Sequence, residues 1–288
     1  MITDSGCDAL SGGFNGLDVR IIPFPYALDG IEYVDDPHYP PAVDAFYDAQ
    51  RAGRRATTSQ ARVADCADVF RTYADLKTPA IYVTLSSGLS GTYNAAMHAR
   101  QLVLAERPHA EIYVVDSLCA SASQALLVSE VARRLVDGST AREAASWAVE
   151  NRTCVQLLLT VDSLEHLVRG GRVSPAAATA GAILDIKPII GLSPRGTLTP
   201  FRRTRGRARA LRTMAELIED GMGGGPPSRV LIGHAQCPDD AARLQGLLTD
   251  AMPGCAIDTT RIGSIIGTHT GPGAVVAAFI GRRRPYEQ

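Results

Sequence analysis

Short apolar runs alternate with longer stretches of helical periodicity along the first half of the chain. In chain order, the pattern predicts a strand at residues 19–23, helices at 41–53 and 62–76, and strands at 81–85 and 112–115. Pro41 suits the first turn of a helix and Gly53 suits the position after a helix ends. Alternating strands and helices are typical of a parallel sheet flanked by helices, so we predict an N-terminal α/β/α domain over residues 1–152.

Strands outnumber helices in the second half of the chain. The predicted strands lie at residues 155–161, 187–192, 197–201, 229–234, 256–261 and 274–280, and the predicted helices at 206–220 and 238–251. We therefore predict a C-terminal α+β domain with a mixed or antiparallel sheet over residues 153–288. Thr140 with Glu143, and Asp162 with Glu165, have the spacing of a capping box, and each pair predicts the start of a helix.

The most informative polar segment follows the strand predicted at 81–85. It contains Ser86, Ser87, Gly88, Ser90 and Gly91 and leads into a helical stretch. The first N–H groups of a helix have no acceptor within it, so together with the serine hydroxyls they can hold an anion. Phosphate and carboxylate suit such a loop equally well, and a serine-capped helix after a tight turn is the interpretation without a ligand. The spacing of the glycines differs from that of the loops that bind nucleoside triphosphates or dinucleotides, which disfavours both classes of ligand.

The length and composition of the chain limit the classes of protein to which it can belong. A chain of 288 residues with 45% hydrophobic and 20% charged residues is typical of a soluble protein, and its length favours two domains. No uncharged apolar stretch is long enough to cross a membrane, and the first residues lack the basic and apolar parts of a secretory signal. We predict a cytoplasmic protein with no integral membrane segment.

The cysteines and the overall charge argue against several binding functions. Six cysteines are scattered without a Cys-x-x-Cys pair or histidines at metal-ligand spacing, so we predict free thiols, no metal site and no cofactor. A formal net charge of −1 and an aromatic content of 6% disfavour nucleic acid as a partner.

One local cluster of arginines departs from this balanced charge. It contains Arg202, Arg203, Arg205, Arg207, Arg209 and Arg212. The cluster is open to three interpretations: a patch that faces a partner protein or a phosphate, an ordinary solvated helix face, or the contact surface of a DNA-binding regulator. Phe201 is the only adjacent aromatic residue, which disfavours the last of these.

Several short polar or glycine-rich turns accompany the loop at 86–91. They are Thr3-Asp4-Ser5, Thr57-Thr58-Ser59-Gln60, Asp116-Ser117, Arg169-Gly170-Gly171-Arg172 and Gly267-Thr268-His269-Thr270-Gly271-Pro272-Gly273. In this order and spacing, the set closely resembles the DegV family, the acyl-carrying subunits of bacterial fatty acid kinase. The resemblance runs from residue 3 to about residue 281.

The resemblance implies a non-catalytic protein that binds one long-chain fatty acid in an apolar tunnel between its two domains. The fatty acid would be its only ligand, with no cofactor, and its carboxylate would lie near the surface. A separate ATP-binding fatty acid kinase subunit would phosphorylate that carboxylate, and the chain would carry the acyl phosphate product. Small residues at 176–184 could leave room for the acyl chain or could pack closely against a sheet.

The resemblance also implies roles for individual residues. The carboxylate would be held by Thr57, Ser87 and His269, with Ser86, Gly88 and Ser90 close by. Arg172 and Arg203 would lie at the mouth of the pocket and face the partner kinase or the new phosphate. These residue types suit the task, because a partly buried carboxylate needs several donors and histidine titrates near neutral pH.

A serine esterase is the alternative from a different functional class. Ser87 or Ser90 would be its nucleophile and His269 its base. The loop does not match Gly-x-Ser-x-Gly, so the strained turn that exposes such a nucleophile is not indicated.

Overall fold

The structure of the protein is a computed structural model that describes residues 1–8, 13–35, 40–175 and 186–284. The small residues at 176–184 lie outside the described residues. The N-terminal strands are β1 (Ile2–Asp4), β2 (Arg20–Ile22), β3 (Pro25–Leu28), β4 (Ile31–Val34), β5 (Ala56–Thr58), β6 (Ala80–Thr84) and β7 (Ile112–Asp116). The N-terminal helices are α1 (Pro40–Arg51), α2 (Val63–Asp75), α3 (Thr92–Glu106), α4 (Ala122–Val136) and α5 (Ala141–Asn151).

A short 3₁₀ turn at Arg152–Cys154 leads into the second half of the chain. Its strands are β8 (Val155–Thr160), β9 (Ile186–Leu192), β10 (Leu198–Arg205), β11 (Arg229–His234), β12 (Ala256–Arg261) and β13 (Val275–Ile280). Its described helices are α6 (Glu165–Arg169), α7 (Arg207–Glu219), α8 (Pro238–Ala251) and α9 (Ser264–Thr270).

The N-terminal sheet is parallel, in the order β2-β1-β6-β7. Alternate residues of β6 face opposite sides, because side chains in a strand alternate between the faces of a sheet. Ile81 and Val83 pack in one apolar cluster with α4 and α5, and Tyr82 packs in another with α2 and α3. Helices therefore cover both faces, as the alternating pattern predicts.

The C-terminal sheet is mixed, in the order β10-β9-β8-β13-β11-β12. Its neighbouring strands are antiparallel except for the parallel pair β11 and β12. Leu157, Leu159 and Val276 lie on the face that packs against α4, while Leu158 and Ile232 lie on the face covered by α7 and α8. This confirms the predicted fold class, an α/β domain followed by an α+β domain.

A small antiparallel sheet, in the order β4-β3-β5, was not predicted from the hydrophobic pattern. Its strands are short and every residue of β4 is exposed, so no apolar alternation marks them. The sequence signal that could have predicted this hairpin is Asp29-Gly30. Both residues have positive φ, as a two-residue β-hairpin turn requires. The sheet matters because β5 carries Thr57 and Thr58.

The two predicted capping boxes have different outcomes. Thr140 and Glu143 form one: the Glu143 N–H donates to the Thr140 hydroxyl, and the Thr140 N–H donates to the Glu143 carboxylate at 2.8 Å. For Asp162 and Glu165, a helix begins at Glu165 as predicted, but the two residues do not form a capping box. The Glu165 N–H donates to the Ser163 hydroxyl instead, at 3.1 Å, while Lys187 donates to the Asp162 backbone carbonyl.

The buried guanidinium of Arg284 joins the two halves of the molecule. It donates to the carbonyl oxygens of Leu118 at 3.0 Å and Ser193 at 2.7 Å, and to that of Arg152 at 2.8 Å. Leu118 belongs to the N-terminal part and Ser193 follows β9, so one side chain ties the two sheets together.

Two further predictions can be compared with the structure. All six cysteines are free thiols, as the scattered spacing predicts. Within the described residues, no helix combines the length and the apolar character that crossing a membrane would require.

Candidate functional site

A cavity of about 260 Å³ lies between the N-terminal domain and the C-terminal sheet. Its apolar lining comes from both sides. Phe24, Leu85 and Leu89 belong to the N-terminal part, and the C-terminal strands contribute Leu157, Leu159, Leu198 and Val276. The volume is close to the lower end for ligand pockets, about 300–1,000 Å³, so a slender occupant fits best.

One group of polar side chains on the cavity lining comes from four separate segments. It includes Thr58, Ser90, Arg172 and His269. The Thr58 hydroxyl lies 2.8 Å from His269 Nε2, which joins β5 to α9. The Ser90 hydroxyl lies 2.9 Å from that of Thr92, which in turn accepts the Ala61 N–H, so the loop at 86–91 is tied to the segment after β5.

The imidazole of His269 is neutral near pH 7. Burial, together with the positive charge of Arg172 and the nearby His166, lowers its pKa to about 3. Nδ1 is buried and has no hydrogen-bond partner among the described residues. It faces Gly170, where any side chain would collide with the ring, so a glycine is required at that position.

Arg172 brings a positive charge to the same cavity. Its Nε donates to the Leu89 carbonyl at 3.2 Å, and its Nη1 donates to the Gly170 carbonyl. Across the described ranges, no carboxylate forms an ion pair with this guanidinium, and burial lowers its pKa. A partly desolvated cation without an acidic partner favours an anionic ligand.

The structure separates the two threonines of the Thr-Thr-Ser-Gln segment. Thr57 is exposed and lies outside the cavity lining, whereas Thr58 is half-buried and lines it. The reason is the alternation of side chains along β5, because neighbouring residues of a strand face opposite sides. The hydroxyl that reaches the cavity is therefore one residue further along than the resemblance implies.

The first residues of the glycine loop have local partners. The Ser87 hydroxyl donates to the Asp116 carboxylate at 2.6 Å, and the Ser87 N–H donates to it at 3.0 Å. The Ser86 hydroxyl donates to the Gly196 carbonyl at 2.8 Å. At Gly88 a Cβ would lie 2.6 Å from the Arg195 carbonyl oxygen. These three residues hold the loop against its neighbours, and Ser90 is the predicted serine that lines the cavity.

Arg203 lies on the exposed side of β10, outside the cavity lining. The structure therefore brings together Ser90, Arg172 and His269 of the predicted residues, and it adds Thr58.

Gln60 and Ser121 also line the cavity, and the sequence analysis did not predict them as site residues. Gln60 belongs to the Thr-Thr-Ser-Gln segment. Its carboxamide lies so close to Gly91 that a side chain at position 91 would collide with it.

Ser121 connects the cavity to a buried carboxyl group. It has a φ of 55°, and its hydroxyl donates to the Asp8 carboxylate. Asp8 also accepts the Gly263 N–H at 2.8 Å, immediately before α9. Burial, with a smaller contribution from the negative charge of Asp35, raises the pKa of Asp8 from its ordinary 3.8 to about 7. No sequence pattern indicated this connection.

The candidate serines and His269 are not arranged as the nucleophile and base of a serine hydrolase. Ser87 bonds Asp116, Ser90 lies against Thr92, and the His269 ring bonds Thr58. Neither candidate nucleophile has the hydrogen bond to the imidazole that would activate it. Within the described part of the chain, no group of histidine, cysteine or carboxylate side chains is arranged to hold a metal ion.

Comparison with known proteins gives a consistent picture. A family model described as "Uncharacterised protein, DegV family" matches residues 1–282. A DegV domain-containing protein of Clostridium perfringens is 34% identical over 281 residues, which cover 98% of this chain and 97% of the relative.

Solved structures agree with the sequence matches. A DegV lipid-binding protein of Thermotoga maritima has a TM-score of 0.84 at 27% identity, covering 99% of this chain and 98% of that one. A DegV family protein of Thermus thermophilus, whose structure is described for fatty acid binding, also has a TM-score of 0.84 at 27% identity, covering 97% and 98%. The chain belongs to the DegV family.

Proposed function

We propose that this chain binds one long-chain fatty acid, with the tail in the apolar part of the cavity and the carboxylate beside Thr58, Ser90 and Arg172. The observation that carries the proposal is the position of Arg172, a half-buried cation without an acidic partner among the described residues, beside neutral polar side chains at one part of a cavity that is otherwise lined by apolar residues. The fatty acid binding described for the Thermus thermophilus relative supports the same ligand class.

The tail would supply most of the affinity. Burying each methylene contributes about 0.8 kcal/mol before the cost of ordering the chain. The carboxylate would fix the orientation, because its charge is stabilised only where donors replace the lost water.

His269 would act by positioning Thr58. When Nε2 carries the proton, it donates to the Thr58 oxygen, and the hydroxyl proton is free to donate to the carboxylate. Nδ1 then carries a lone pair toward Gly170 and has no proton that would need an acceptor. In this tautomer the buried nitrogen without a partner in the described part of the chain is an acceptor rather than an N–H donor.

We further propose that the bound carboxylate is presented to a separate ATP-dependent fatty acid kinase subunit and that this chain carries the acyl phosphate. Arg172, at the cavity, would meet the new phosphate, and Arg203, exposed on β10, would face the partner. The chain itself would have no catalytic role, and a partner that consumes ATP places the reaction in the cytoplasm. The missing serine–histidine hydrogen bond supports a binding role over the esterase alternative.

The binding step is tested with delipidated protein and palmitate or oleate, by native mass spectrometry and calorimetry. Arg172→Met should weaken binding about 10- to 100-fold, because a charge-assisted hydrogen bond is lost. Thr58→Val should weaken it about fivefold, as expected for one neutral hydrogen bond. Thr57→Val is the matched control and should bind like the wild type.

Two results would contradict the binding proposal: wild-type protein that binds no fatty acid, or equal losses for the two threonine variants. The kinase step is tested by adding ATP and a fatty acid kinase subunit and trapping acyl phosphate with hydroxylamine. Arg203→Glu should retain the fatty acid but form less acyl phosphate. Unchanged product formation by this variant would remove Arg203 from the proposed interface.

A further inference from the structure

The lining of the acyl cavity includes a buried serine, Ser121, that has no part in holding the carboxylate. Its residue is 1% exposed, and it follows Ala120, which also lines the cavity. The Ser121 N–H donates to the Gly6 carbonyl at 2.7 Å. Gly6 packs so closely on Leu85 that a Cβ at position 6 would lie 2.9 Å from the leucine Cδ1. The cavity wall beside Ser121 is therefore largely apolar.

Helix α9 separates Ser121 from the carboxylate site. The Ser121 hydroxyl donates to Asp8, and Asp8 accepts the N–H of Gly263, immediately before α9, at 2.8 Å. The opposite end of α9 carries His269, whose ring bonds the proposed carboxylate ligand Thr58. At about 1.5 Å per residue, the helix rises about 9 Å from Gly263 to His269. Ser121 is thus tied to the end of α9 that lies away from the carboxylate site.

The cavity follows α9 along this distance. Ile265 lies in the first turn of the helix and His269 lies one turn later, and both line the cavity. A tail whose carboxylate is held near His269 would pass Ile265 on its way to Ser121. An extended chain advances about 1.2 Å per bond, so the tail would reach Ser121 after roughly eight carbons or more.

The backbone of Ser121 has a conformation that suits glycine. Its φ is 55° and its ψ is −134°. Glycine adopts this region readily, whereas a residue with a Cβ is strained in it. The hydrogen bonds to Gly6 and Asp8 hold the strained residue in place. Since glycine would satisfy the backbone, the hydroxyl itself points to a role in the cavity.

The Ser121 oxygen has hydrogen-bonding capacity left over. A hydroxyl group has one proton and two acceptor lone pairs, and the proton of Ser121 is directed to Asp8. In the part of the chain that the structure describes, no group donates to this oxygen. Donation to a carboxyl group also polarises the hydroxyl and makes its oxygen a better acceptor. A plain hydrocarbon tail offers no donor to these lone pairs.

We infer that the cavity accommodates a long-chain fatty acid with a hydroxyl group on its tail, and that this hydroxyl donates to Ser121 Oγ. The inference rests on the proposed function and names the substrate class of the same cavity. The carboxylate stays beside Thr58, Ser90 and Arg172, and the tail hydroxyl lies roughly eight carbons or more from it. A hydroxyl next to the carboxylate does not reach Ser121.

The test measures the affinity of delipidated protein for 10-hydroxystearate, 12-hydroxystearate, 3-hydroxystearate and stearate, by calorimetry and by competition in native mass spectrometry. The readout is the affinity for each hydroxylated acid divided by the affinity for stearate. For the wild type, this ratio should be about one or higher for 10- or 12-hydroxystearate. In Ser121→Ala it should fall about tenfold, because the tail hydroxyl is then buried without an acceptor.

Two further variants make the test independent of effects on folding. Ser121→Gly suits the positive φ and should lower the ratio as Ser121→Ala does, which keeps the test decisive if the alanine variant does not fold. Ser123→Ala is the matched control, because Ser123 is a buried serine at the start of α4 that does not line the cavity. Its hydroxyl donates to the Ala120 carbonyl, and its removal should leave the ratio at the wild-type value.

Three results would overturn the inference. The first is a wild-type protein that binds stearate but disfavours both 10- and 12-hydroxystearate about tenfold. The second is a ratio that does not change in the Ser121 variants. The third is an equal fall of the ratio for 3-hydroxystearate, which would show that the effect does not depend on the position of the hydroxyl. Wild-type protein that binds neither stearate nor its hydroxylated forms would instead contradict the proposed function, so the two failures are distinguishable.

Discussion

At the scale of single residues, the cavity combines a neutral histidine with an arginine that has no acidic partner in the described part of the chain. Burial keeps the pKa of His269 near 3, so the ring has no charge of its own to offer an acid at neutral pH. The attraction must come from Arg172, and a bound carboxylate would in turn raise the pKa of His269 by offsetting that positive charge. Binding should therefore become more favourable as the pH falls toward the pKa of the occupied histidine.

Asp8 provides a pH prediction for the folded protein. In the folded state it holds its proton up to about pH 7, whereas the unfolded chain releases it near 3.8. Between these values the folded state binds more protons, so this contribution to stability is lost as the pH rises from about 4 to about 7. Asp8→Asn imitates the protonated side chain and should raise the melting temperature at pH 8 by about 2 °C or more.

The gain from Asp8→Asn should shrink at pH 5, where the wild-type carboxyl is protonated. Asp4, whose burial raises its pKa to about 6, and His269 also titrate, but they are present in both proteins, so the difference between the two melting curves isolates Asp8. A stability difference that is the same at pH 5 and pH 8 would contradict this account.

At the scale of elements, predictions from the sequence are accurate where one apolar face is buried. The strand predicted at 81–85 is β6, shifted by one residue, and the helix predicted at 238–251 is α8. β4 was missed because its residues are all exposed and leave no pattern. A related reason explains why Thr58, rather than the predicted Thr57, lines the cavity: the motif identifies the segment, but only the pairing of β5 with β3 decides which hydroxyl faces the cavity.

The two predicted capping boxes yield a comparison of variants. Thr140→Ala should lower the free energy of unfolding by about 1 kcal/mol, because it removes the acceptor of the Glu143 N–H. Asp162→Ala should have a smaller effect, since Asp162 does not cap α6 and its contact with Lys187 is half exposed. Urea denaturation measures the free energy of unfolding of both variants. Equal losses would show that sequence spacing, rather than the observed hydrogen bonds, determines the cap.

At the scale of the whole molecule, the ligand cavity depends on how the two sheets are held together. Leu85 and Leu89 approach it from one domain and Leu159 and Val276 from the other, so a change in their separation would alter the cavity. Periodicity predicts each sheet but carries no information on their relative placement. The Arg284 contacts illustrate this, because they join carbonyl oxygens far apart in the chain and need no sequence motif.

Removing Arg284 should destabilise the protein more than removing its exposed neighbour. Arg284→Met leaves several buried carbonyl oxygens without their donor, so we expect a loss of about 3 kcal/mol or more in the free energy of unfolding. Arg283→Met removes an exposed side chain that donates to the Glu150 carbonyl and should be nearly neutral. Urea denaturation distinguishes the two variants, and similar losses would contradict the role given to Arg284.

The most direct test of the central claim is a crystal structure of the protein loaded with a long-chain fatty acid. The account predicts the carboxylate within hydrogen-bond distance of Thr58 Oγ1 and the Arg172 guanidinium, with the tail against Leu159 and Val276 in the apolar part of the cavity. A fatty acid in the reverse orientation, or one bound outside this cavity, would contradict it.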